Sequence, residues 1–119
     1  MTSLIHRLLS AEAALFGAAA LMHTGLLIEG HQHSKAATAE SVIGLVLVAG
    51  LVGTFLAPSS TRMIALGAQG FALLGTLVGI FTIAIGIGPR TAIDLVIHAC
   101  MIALLAFGCL AVARPLVNV

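Results

Sequence analysis

The chain contains no tryptophan and no tyrosine, and only five phenylalanines. The amphipathic rings that commonly anchor a protein at the two membrane–water boundaries are therefore missing. Charge is scarce as well: five Lys and Arg against four Asp and Glu leave a formal net charge of +1 over 119 residues. That excludes the basic footprint by which nucleic acid is held. Motifs for hydrolytic or phosphate chemistry are absent too, with no G-x-S-x-G, phosphate loop, H-E-x-x-H or C-x-x-C. The two cysteines, Cys100 and Cys109, share one apolar segment and lie about half a turn out of phase on a helix. They cannot bridge within it and read as small hydrophobes.

What is present is mostly apolar. Hydrophobic residues make up 61% of the chain and charged residues 8%, against about 45–50% and about 25% in soluble domains. A soluble domain of this size has too little polar surface to cover such a content. Lipid is the expected solvent. Four apolar segments stand out, at about 8–28, 41–57, 63–87 and 92–113, each near the ~20 residues that cross a hydrocarbon core. Breakers separate them: Gly30 with the polar stretch His31–Thr38, then Pro58-Ser59-Ser60, then Gly88-Pro89. The first run superficially resembles a signal peptide, but it is long, carries Glu12 and is followed by three more, so it reads as a membrane helix.

Spanning segments must satisfy their backbone hydrogen bonds internally, which makes them helices. Short connections make neighbours antiparallel. The expectation is an all-α, single-domain membrane four-helix bundle over residues 1–119, running up-down-up-down. Gly75 and Gly79 form a GxxxG in the third helix, read here as close packing within the bundle. Arg7, Arg62 and Arg114 fall on one side, with Lys35 and Arg90 on the other. The excess of positive charge places both termini in the cytoplasm.

Ionisable residues inside such segments are costly and point to function. His23 and His98 are placed at matched depth, each about 10 Å below the surface that carries the first and third loops. Asp94 is one turn before His98, and Met101 follows on the same face. A carboxylate beside a histidine can fix its tautomer. These four form the candidate cofactor site, with a haem or quinone between the first and last helices. The alternative is that the histidines are internal hydrogen-bonding groups of a structural or lipid-binding subunit. A third reading uses the loop: His31-Gln32-His33 is an H-x-H pair, and Glu29 or Glu40 would complete a Zn²⁺ or Cu²⁺ shell. Glu40 equally suits the start of a helix, where it favours the dipole. Glu12 reads as an interfacial partner of Arg7.

The layout resembles the DoxX-like family of small four-helix bacterial membrane proteins. The matching features are Arg7 before the first helix, His23-Thr24-Gly25 at its end, and the acid-plus-glycine opening of the second, Glu40-Ser41-Val42-Ile43-Gly44-Leu45. The family's lysine after the first helix has no clear counterpart. The resemblance implies a bacterial inner-membrane location and a redox-associated or quinone-linked subunit. Its partners would be membrane lipid and a larger membrane complex or a second copy.

Overall fold

The computed structural model describes residues 1–115. Four helices account for nearly all of them: α1 (Thr2–His23), α2 (Ser34–Leu56), α3 (Thr61–Ala84) and α4 (Ala92–Ala113). A single 3₁₀ turn, Pro58–Ser60, joins α2 to α3. Each helix is long and apolar enough to cross a membrane. The element type was legible in the hydropathy, but four boundaries differ: α1 begins at Thr2, six residues before the apolar run, and the other three have local causes.

α1 stops at His23, five residues short of the apolar run. Gly25 takes φ +84°, its N–H bonds to the Met22 carbonyl, and the Leu26 N–H reaches back to Leu21. This is a Schellman ending, in which a left-handed glycine closes the last turn. Leu26, Leu27 and Ile28 are apolar but lie beyond it, exposed. α3 ends the same way: Gly86 at φ +88° bonds back to Ile83, and Ile87 to Thr82. Hydropathy overran both stops because it weighs side chains and ignores backbone handedness. The opposite error occurs at α2. Its first turns, Ser34–Glu40, are polar or small, yet His33 caps the helix with Nδ1 accepting from the Ala36 N–H at 3.1 Å. α4 opens where expected, on a capping box in which Thr91 and Asp94 satisfy each other's backbone.

The helices pack in sequence, and α4 closes back onto α1. Their shared core holds Leu9, Leu47, Ala65, Ala72, Leu105 and Val112, none with any exposure. Small residues set the spacing. A Cβ on Gly50 would stand 2.7 Å from that of Ala68, so α2 and α3 approach backbone to backbone. Gly75 faces Ile43 of α2, and Gly79 faces His98 of α4, so the GxxxG packs inside the bundle. The outer flanks carry Leu45, Phe55, Leu74, Phe81 and Leu110, all more than 60% exposed. Such flanks are compatible with a multi-pass membrane protein.

Two arginines finish helices. Arg62, at the start of α3, donates to the Val112 carbonyl at 2.9 Å and to that of Ala113, at the last turn of α4. Arg90 Nε donates to the Ile83 carbonyl of α3 at 3.1 Å. Cations belong at these carbonyl ends. The bundle thus has an arginine end, with Arg7 and Arg62, and a histidine end, where α1 stops and α2 and α4 begin.

Candidate functional site

The histidine end is built around His23, the last residue of α1, which is 1% exposed. Its Nδ1 lies 2.7 Å from Glu40 Oε2 of α2, and its Nε2 lies 2.9 Å from Asp94 Oδ1 of α4. One imidazole therefore ties three helices together, with a carboxylate on each nitrogen. Asp94 is held from the other side as well, its Oδ2 accepting from the Thr91 N–H at 2.9 Å and the Thr91 hydroxyl at 2.6 Å. Three donors and a helix N-terminus make Asp94 the settled anion of the group. Glu40 has one donor, and its buried Oε1 has no hydrogen-bond partner.

Proton counting limits what this trio can be. Two hydrogen bonds at His23 require two protons. Either an imidazolium sits between two carboxylates, or a neutral ring donates to Asp94 and accepts from a protonated Glu40. Both forms carry one net negative charge. They differ only by one proton moving along the 2.7 Å bond between Glu40 Oε2 and His23 Nδ1. A proton can thus pass across this group with almost no movement of heavy atoms.

His98 stands one turn along α4 from Asp94. Its Nδ1 donates to the Asp94 backbone carbonyl at 2.7 Å, so the carboxylate does not orient it as expected. That bond leaves Nε2 as a lone-pair acceptor, lying next to Gly79: a Cβ there would be 3.3 Å away. His98, Glu40, Met101 and Phe16 all border a cavity of about 180 Å³ between α2, α3 and α4. Ile43, Thr76 and Gly79 continue its wall, and His33, Lys35 and Pro89 stand at its loop end. The lining is largely apolar, with Glu40 and His98 among its polar members.

Several expectations are corrected by this geometry. His23 and His98 do not lie at equal depth: His23 ends its helix, whereas His98 is six residues, about 9 Å, into α4. They are joined through Asp94 rather than to each other, and His23 is not on the cavity wall. Glu40 belongs neither to a loop metal shell nor to a first helical turn; it is the second-turn partner of His23. His33 is used up structurally, with Nδ1 capping α2 and Nε2 donating to the Ile87 carbonyl at 3.3 Å. His31 contacts only the Glu29 backbone carbonyl, at 3.4 Å, in an exposed loop. Among the described residues no cluster of three or more His, Cys, Asp or Glu is arranged to hold a metal ion.

Glu12 is corrected too. Because α1 begins at Thr2, it lies at the helix midpoint, fully buried, bonded to Gln69 Nε2 at 2.9 Å and not to Arg7. Gln69 was missed by the sequence reading, though it is the one glutamine within a spanning helix. His6, stacked on Phe55 with ring centroids 4.2 Å apart, was also missed. Compared with protein-family models, curated proteins and solved structures, the chain matches none.

Proposed function

We propose that this is a multi-pass bacterial inner-membrane protein whose histidine-end cavity binds the head of a lipid-soluble, single-ring molecule of the quinone class. In this reading the Glu40–His23–Asp94 group exchanges protons with that head. The observation that carries it is an apolar cavity bordered by Glu40 and His98, with His98 Nδ1 already bonded and its Nε2 left over. Ligand pockets in general combine apolar walls with a few convergent polar groups. The size agrees: a cavity of roughly 150 Å³ holds benzene, so about 180 Å³ takes one substituted ring. A haem is not supported by the same test. The cavity is too small for a tetrapyrrole, and both nitrogens of His23 are already bonded to carboxylates.

When bound, a quinone head supplies two-electron, two-proton chemistry. The chain's part is to hold and move protons. His98 Nε2 accepts from a ring hydroxyl, and Glu40 receives a proton from the same face. As it does so, the proton already held between Glu40 Oε2 and His23 Nδ1 moves onto Nδ1, and Asp94 stabilises the imidazolium from Nε2. Electrons need a carrier outside these residues, which fits the redox-associated subunit that the DoxX-like resemblance implies.

Photolabelling tests the reading. A short-tailed azidoquinone irradiated with the purified protein should attach to peptides carrying Ala39–Ile43, Gly75–Thr82 or His98–Met101. An excess of unmodified quinone should compete the label away. Label confined to the lipid-facing flanks, or unaffected by competitor, would contradict it.

A further inference from the structure

A second polar group lies away from the cavity. Glu12 is ten residues from Thr2 and eleven from His23, about 15 Å from either end of α1. Its Oε1 accepts from Gln69 Nε2, and both side chains have 0% exposure. Two oxygens there are left without a partner, Glu12 Oε2 and Gln69 Oε1. α4 makes the room for them: a Cβ on Gly108 would stand 2.4 Å from both Glu12 Oε1 and Gln69 Nε2. Phe16, the next turn of α1, borders the cavity above with Met101, so an apolar layer separates the two polar groups.

No cation reaches this carboxyl among the described residues. On α1, Arg7 is exposed and His6 is stacked on Phe55. On α3, Arg62 is committed to the last carbonyls of α4. On α4 the neighbours are the Cys109 thiol and, beyond the helix, the exposed Arg114. The charged side chains of α2, Lys35 and Glu40, stand at the far end of that helix. A carboxylate anion at this position would have one neutral amide donor inside a bundle with apolar flanks. Few arrangements are costlier.

We propose that Glu12, Gln69 and Gly108 form a proton-binding site at the middle of the bundle, independent of the quinone-type cavity. The ligand is a proton. It adds to the unpartnered Oε2, turning the carboxylate into a neutral acid, and leaves by the reverse step with no other bond changed. Gln69 holds the carboxyl in place through Oε1, and the missing side chain of Gly108 admits both groups.

Infrared spectroscopy of the purified protein reads the state directly. At neutral pH the wild type should show a carboxylic-acid C=O band that shifts on deuteration. The band should be retained in Glu40→Gln, where Glu40 can contribute none, and lost when Glu12→Gln, which keeps the acceptor for Gln69, is combined with it. Mass spectrometry of the wild type after treatment with a hydrophobic carbodiimide supplies a readout that needs no variant. An adduct is expected on the peptide containing Glu12, at equal yield with and without added Na⁺. Absence of the band in the wild type or in Glu40→Gln, its survival in the double variant, an adduct missing from Glu12, or protection by Na⁺ would each overturn the proposal.

Discussion

His23 is the residue on which three helices converge, and its chemistry follows from having a carboxylate on each nitrogen. Its loss would leave Glu40 and Asp94 buried around an empty donor position. Removing one member of a buried charged group costs about 3–5 kcal/mol, so His23→Leu should unfold well below the wild type in a thermal melt in detergent. Glu40→Gln should be far milder, costing about 1 kcal/mol, because an amide can still donate to Nδ1 while a neutral ring donates to Asp94. Equal losses in the two variants would show that the trio is not held by the proton arrangement deduced above. Both histidines and Asp94 were legible as candidates from their place in apolar segments. Their pairing was not, because the hydropathy edge lay five residues, about a turn and a half, beyond the helix end that His23 actually forms.

At the scale of elements, the helix ends decide the site. Gly25 turns the chain at the end of α1, and the loop folds back so that the His33 N–H bonds to the His23 carbonyl at 2.9 Å. Gly25 and Gly30 both have positive φ, +84° and +85°. An alanine at either suffers the left-handed penalty of about 1–2 kcal/mol. At Gly25 the new Cβ also meets the Gln32 side chain at 2.6 Å, whereas nothing lies within 4 Å at Gly30. Gly25→Ala should therefore lower the melting temperature more than Gly30→Ala; the reverse order would contradict the loop packing. These glycines were visible in the sequence, but their handedness was not. An apolar Leu26-Leu27-Ile28 argued for continuing the helix, and only the backbone bonds show that it stops. The polar start of α2 was hidden for the same reason, and with it the burial of Glu40.

For the whole molecule, four antiparallel helices with apolar flanks were legible from composition and spacing alone, because lipid demands both. Which side each end faces is a separate matter. Arg62 caps α4 and Arg90 caps α3, so the side rule counts residues that also have structural work. A lone cysteine at Gln32, with Cys100 and Cys109 replaced, should react with an impermeant thiol reagent in intact cells, and one at Ser60 should not; the opposite pattern would invert the molecule. The central claim is that the cavity at the histidine end binds a single ring through His98 and Glu40. Gly79 gives the most direct test, since a side chain there enters the space beside His98 Nε2. The decisive measurement is a calorimetric titration of a short-tailed quinol into the wild type and into Gly79→Leu, with folding of each checked by circular dichroism. The account predicts saturable binding to the wild type and none to a folded Gly79→Leu; no binding to the wild type, or equal binding to both, would contradict it.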